Sequence, residues 1–146
     1  MRSVIRDIIS WIESDLSKPM RSSDIAEKAG YSRWHLQRSF KYFTGYTLGR
    51  YIRARRMTVA AVLLKSTDLS ITSIYLRVGY DEAATFCRVF CRHFGLSPSA
   101  YRSCPVDFPD RMQATLTFQA IAETISHYQN NKLLCVDGNF IHSPCS

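Results

Sequence analysis

Trp34, Gln37, Arg38 and Lys41 recur at intervals of three and four residues. On an α-helix that spacing gathers them within an arc of roughly 100°, well apart from Leu36, Phe40 and Phe43, which share an arc of roughly 60°. The apolar arc is a face for a core. The other arc turns an indole, a carboxamide, a guanidinium and an ammonium outward. Those groups suit the edges of base pairs in a DNA major groove. Arginine donates two parallel bonds to guanine N7 and O6, glutamine pairs with adenine N6 and N7, and an apolar ring touches a thymine methyl. Arg33 and Lys41 suit phosphates, which fix position without reading sequence. A solvated face with one packed Trp is the plainer alternative, but an indole between Arg and Gln is a poor design for solubility alone.

Such a face needs a partner helix and a tight turn to present it. The segment from Gly30 to Phe40 supplies them, and it returns in altered form from Gly79 to Phe90. One extra residue follows the second Gly-Tyr. Beyond it the register holds at an offset of fifty: Leu36 with Phe86, Arg38 with Arg88, Phe40 with Phe90, Gly45 with Gly95 and Tyr51 with Tyr101. Each copy reads as a short helix, a Gly-containing turn and a second helix with a basic outer face, the plan of a helix-turn-helix. The units span about residues 22–43 and 70–94. The counterparts of Trp34, Gln37, Arg38 and Lys41 are Ala84, Cys87, Arg88 and Cys91, so only the arginine is kept. In the second copy Thr85 or Ala84 can touch a thymine methyl, and Arg92 can add a phosphate contact. Glu82 can accept from cytosine N4 or serve the helix N-terminus, the second being the expected use.

Helical period runs through residues 2–103, with no strand alternation. Val4, Ile5, Ile8, Ile9, Ile12 and Leu16 mark a first helix over about 2–16, ended by Pro19. Ser22 or Ser23 caps a short helix from Asp24 to Ala29, and Gly30 stops it. Ser32 caps the next, to about Phe43, and Gly45 closes it. Thr47 caps a long helix to about Ser66, roughly 30 Å at 1.5 Å per residue, close to the ~34 Å of one DNA turn. Ser70 caps a fifth helix through Val78, a sixth runs from about Asp81 to Phe94, and Ser97-Pro98 opens a seventh. The expected fold is all-α: about seven helices, two helix-turn-helix subdomains joined by a long linker helix. Arg53, Arg55 and Arg56 lie on that linker. They can contact phosphates, stay solvated, or form ion pairs inside the domain. Residues 104–146 are harder to read. Arg111 to Tyr128 could form an amphipathic helix, and Lys132 to Val136 could be extended.

Charge divides the chain in the same place. Residues 1–103 hold seventeen Lys and Arg against eight Asp and Glu, a net of +9, while residues 104–146 hold two against four, a net of −2. The first part carries the electrostatic footprint of a nucleic-acid binder. No apolar run reaches the ~18 residues a membrane span needs. The N-terminus lacks a signal-peptide core, which points to the cytoplasm. The five cysteines, at 87, 91, 104, 135 and 145, form no tight framework and read as reduced thiols.

Three segments carry a family resemblance: Ala29 to Arg38, Tyr51 to Arg56, and Gly95 to Arg102. With them, residues 2–103 resemble the AraC/XylS family of bacterial transcription regulators, most closely the MarA, SoxS and Rob group. The resemblance implies a homeodomain-like seven-helix domain. It implies a monomer that binds a degenerate, asymmetric site in double-stranded promoter DNA and activates transcription through RNA polymerase, at stress, efflux and antibiotic-tolerance genes. By position, Trp34, Gln37 and Arg38 match base-contacting residues of the first reader, and Thr85 and Arg88 match those of the second. The group usually has Gln-Gln at Ala83-Ala84 and Lys at Cys91, so a second half-site read loosely is expected. Residues 104–146 match nothing in the family and are too few for an effector-binding domain with its own core.

An enzyme is the first rival. One branch of the family performs DNA methyl-group repair with a zinc-bound Cys cluster, but this chain has no Cys before Cys87. Structural zinc sites usually show tight Cys pairs twice over, and no catalytic Ser-His-Asp or Cys-His spacing stands out. No catalytic residue, metal, cofactor or small-molecule effector is therefore expected. The second rival is an adaptor or competitor that binds RNA polymerase and has weak DNA specificity.

Overall fold

The computed structural model describes residues 2–106 and 108–113. The described residues form seven α-helices and one 3-10 turn, with no strand. They are α1 (Arg2–Ser14), α2 (Ser22–Ala29), α3 (Arg33–Thr44), α4 (Leu48–Ser66), α5 (Ile71–Arg77), α6 (Ala83–Phe94) and α7 (Pro98–Ser103), followed by the 3-10 turn Pro109–Arg111. They divide into two compact units, one holding residues 2–14 and 20–50, the other residues 15–19 and 51–113.

In the first unit α1, α2 and α3 pack on one another. Ile5, Ile8, Ile9 and Ile12 of α1, Ile25 and Ala26 of α2, and Leu36 and Phe40 of α3 are buried, as is Leu48 at the start of α4. α1 stops at Ser14, two residues before the expected end. The Asp15 carboxylate accepts both the backbone N–H and the hydroxyl of Ser17, and this local turn competes with another helical turn. Neither Ser22 nor Ser23 caps α2. Arg21 holds the N-cap position, and its carbonyl accepts the N–H groups of Asp24 and Ile25.

The second unit is built around α4. Met57, Ala60, Ala61 and Leu64 meet Ile74 and Val78, then Phe86, Phe90 and Phe94 of α6, and Tyr101 of α7. The rings form a chain, with centroids 5.7 Å apart for Phe86–Phe90, 4.7 Å for Phe90–Phe94 and 5.0 Å for Phe94–Tyr101. Full burial of each such side chain contributes about 1.5–3 kcal/mol. Ala60 and Ala61 are themselves fully buried in this cluster. α5 ends at Arg77 with Val78 as its C-cap, one residue short of the expected end.

Two of the three linker arginines bond backbone oxygen. Arg56 donates to the carbonyls of Leu16 and Lys18, at 3.1 and 2.9 Å. Its half-buried guanidinium is held below the ordinary arginine range by desolvation, an effect partly offset by Tyr80. Burial in turn pushes the Tyr80 hydroxyl up. Arg55 donates to the Gln113 carbonyl at 2.6 Å, while Arg53 is exposed. Arg102 reaches the carbonyls of Leu64, Thr67 and Leu69 and so closes the C-terminus of α4.

Residues 104–113 strap across the second unit. Lys65 donates to the carbonyls of Cys104 and Val106. Phe108 lies 5.9 Å from Tyr101, and Met112 packs on the core. Arg111 donates to the His93 carbonyl, while Nε2 of His93 bonds the Arg111 carbonyl. The N–H of Gln113 reaches Thr58 Oγ1 at 2.7 Å. The helix expected from Arg111 does not begin there. Arg111 ends the 3-10 turn and Met112 is extended. The rest of that segment, and the extended stretch from Lys132, lie outside the described residues.

Candidate nucleic-acid interface

The two turn-and-helix units share one backbone solution. In the first, Gly30 has φ 77° and the N–H of Tyr31 returns to the Ala26 carbonyl, five residues back. In the second, Gly79 has φ 87° and the N–H of Tyr80 returns to the Tyr75 carbonyl. A left-handed residue followed by this six-to-one bond is a Schellman ending, which stops one helix and launches the chain at a set angle toward the next. Ser32 then caps α3 through the N–H of His35, at 3.2 Å.

α3 buries Leu36 and Phe40 and half-buries Phe43. Its other side exposes Arg33, Trp34, Gln37, Arg38 and Lys41. Trp34 is 67 % exposed. The Arg38 guanidinium lies over its ring, 5.2 Å from the centroid. His35 stacks on Tyr31 at 5.2 Å. Sequence reasoning passed over Tyr42, which is 58 % exposed and beside this face. Its helical angle, about 40° from Arg38, was the available signal.

α6 has the same architecture and different chemistry. Phe86, Phe90 and Phe94 are buried, and Ala84, Arg88, Cys91 and Arg92 are exposed. The helix begins at Ala83, later than expected. Glu82 holds the N-cap position without accepting a backbone N–H through its side chain. Its carboxylate instead takes the Thr85 hydroxyl at 3.3 Å. Cys87 is half-buried against the core. Cys87, Cys91 and Cys104 are free thiols. Among the described residues no three metal-binding side chains come together, and no helix is long and apolar enough to cross a membrane.

Two helix-turn-helix units, each backed by its own core and each presenting a helix with exposed arginine, are the build of a helix-turn-helix DNA-binding protein. A family model described as a helix-turn-helix domain matches residues 25–103. The chain is 45 % identical over 102 residues to the right origin-binding protein of Escherichia coli K12, covering 70 % of this chain and 35 % of that protein. It is also 45 % identical over 101 residues to the regulatory protein SoxS of Escherichia coli K12, covering 69 % of this chain and 94 % of SoxS. Among solved structures, it resembles the DNA-binding domain of the global transcriptional factor AdpA in complex with a target DNA. That match has a TM-score of 0.65 at 26 % identity, over 68 % of this chain and 89 % of the other. The chain belongs to the AraC/XylS family of transcription regulators, near SoxS and Rob. It spans about a third of the length of the right origin-binding protein and nearly all of SoxS.

Proposed function

We propose that the chain is a sequence-specific transcription activator that works as a monomer in the cytoplasm. On this reading α3 reads one half of an asymmetric promoter site. Arg38 donates to guanine, Gln37 donates to adenine N7 and accepts from its N6 amino group, and Trp34 meets a thymine methyl, while Arg33 and Lys41 hold phosphates. α6 holds the other half more loosely, with Arg88 as its base reader, Ala84 and Thr85 as apolar contacts and Arg92 on the backbone. Contact with RNA polymerase completes activation, at promoters for stress and drug tolerance such as the SoxS and Rob group serves. The observation that supports this most is the outer face of α3, where five groups suited to DNA stand exposed together.

The sparse outer face of α6 favours one alternative, an adaptor that binds RNA polymerase and has weak DNA specificity. Selection from a randomised duplex pool, followed by gel shift at ~150 mM salt, separates the two, because counterion release alone supplies only sequence-independent binding. A specific activator enriches one asymmetric sequence and raises transcription in vitro from a promoter bearing it. A pool without enrichment, together with polymerase binding, selects the adaptor.

A further inference from the structure

Both readers keep an arginine at the same place, yet the two arginines stand in different surroundings. Arg38 lies on the Trp34 ring, 5.2 Å from its centroid, one helical turn along α3. The equivalent of Trp34 in α6 is Ala84, a methyl group that offers Arg88 no ring to lie on. Both arginines and the indole are exposed, so packing by the core fixes none of them.

We propose that Trp34 is a positioning residue: its indole is a platform that holds the Arg38 guanidinium in the orientation that reads guanine. This deepens the DNA-binding reading above and rests on it. A guanidinium over an indole face gains electrostatic and stacking stabilisation, and Trp is the best such partner. Bidentate recognition of guanine needs the planar fork in one plane. A free arginine loses rotamer freedom when it settles there, and ordering one such side chain costs about 0.5–1.5 kcal/mol, or roughly two- to tenfold in affinity. The platform removes part of that cost before DNA arrives. On this proposal the arginine retained at corresponding positions of α3 and α6 serves unequally in the two helices. Arg38 is preorganised and Arg88 is not.

The test uses the full chain and a duplex that the wild-type protein enriches from a randomised pool. Trp34→Leu keeps an apolar side chain without a ring, and Trp34→Phe keeps a ring. Trp34→Leu is expected to reduce discrimination at the base pair that Arg38 reads by roughly two- to tenfold. Trp34→Phe restores most of it, and Trp34→Leu has no further effect at that base pair once Arg38 is Ala. The converse substitution, Ala84→Trp, is expected to raise discrimination at the base pair Arg88 reads. A DNA-free readout accompanies these. The side-chain methylene protons of Arg38 should show a ring-current shift in the NMR spectrum of the wild type that Trp34→Leu abolishes, and Ala84→Trp should create one at Arg88. Arg38 resonances unmoved by Trp34→Leu overturn the proposal whatever the DNA data show. So does a loss at that base pair that adds to the loss from Arg38→Ala, which would mean Trp34 acts independently. A wild-type pool with no enriched sequence, beside an intact ring-current shift, overturns the DNA-binding reading and leaves Arg38 nothing to read.

Discussion

Gly79 and Gly95 both lie in the left-handed region, at φ 87° and 79°, yet alanine at the two positions should have very different consequences. At Gly95 a Cβ meets nothing within 4 Å. The cost is the left-handed strain of about 1–2 kcal/mol, less the ~0.4–1 kcal/mol regained by a stiffer unfolded chain. The net loss is about 1 kcal/mol. At Gly79 the same atom would sit 2.7 Å from the Leu16 carbonyl oxygen and 2.9 Å from the Arg56 guanidinium. The carbonyl is backbone, so the loop must move, and the Arg56 guanidinium must shift, which strains its bonds to the carbonyls of Leu16 and Lys18. Charge-assisted hydrogen bonds of this kind contribute about 1.5–3 kcal/mol each. Arg56 is half-buried, so water recovers part of the loss. A total of about 3–5 kcal/mol is expected for Gly79→Ala, a large share of the ~5–15 kcal/mol that holds a typical domain together. Urea unfolding of both variants measures the difference. In an Arg56→Ala background the excess cost of Gly79→Ala should shrink but persist, because Leu16 still blocks the Cβ. Equal unfolding midpoints for Gly79→Ala and Gly95→Ala would refute the argument that Leu16 and Arg56 leave no room for a Cβ at this turn.

Three further outcomes are expected. Arg38→Ala should weaken binding to the selected duplex by about 1–3 kcal/mol and relax specificity in one half-site; an equal or larger loss from Arg88→Ala in gel shifts would reverse the ranking of the two readers. Cys91→Lys should restore a phosphate anchor on the exposed face of α6, steepening the salt dependence of binding by about one counterion, so an unchanged slope would place Cys91 away from the DNA. Hydrogen bonds from Ser17 hold the Asp15 carboxyl below the usual carboxylate range. The folded value is the lower one, so its stabilisation is present at neutral pH and fades as pH falls through the acid range. Asp15→Asn should therefore flatten the acid limb of a stability-versus-pH curve, and an identical limb would show that the Asp15–Ser17 turn does not contribute.

The elements legible in the sequence were those governed by neighbours in the chain. Ser32, Ser70 and Ser97 cap their helices through backbone N–H groups three residues on, as their positions predict. Gly30, Gly45 and Gly95 close theirs in the left-handed conformation. The buried faces of α3 and α6 followed from helical period, with Phe43 less covered than expected. What escaped depends on distant partners. Nothing near Arg56 or Arg102 announces that each will be spent on carbonyls more than thirty residues away. Apart from the 3-10 turn at Pro109–Arg111, the backbone of residues 104–106 and 108–113 bonds side chains of other elements, Lys65, His93, Arg55 and Thr58, and such bonds leave no period. The exposed faces of α3 and α6 follow from spacing, but the i, i+4 stacking of Arg38 on Trp34 depends on side-chain rotamers that spacing does not set.

The paired Schellman endings also bear on how such a domain changes over generations. The backbone bonds at Tyr31 and Tyr80 hold each second helix at its launch angle without using any outward side chain of that helix. Selection on folding and selection on the ligand therefore act on different residues. The outer positions of α6 can drift, lose their readers and be recruited to a new sequence while the fold stays intact. Ala84 and Cys91 are exposed on α6, and a directed-evolution library confined to them would search new specificities with little penalty in stability, whereas Cys87 packs on the core and is less free.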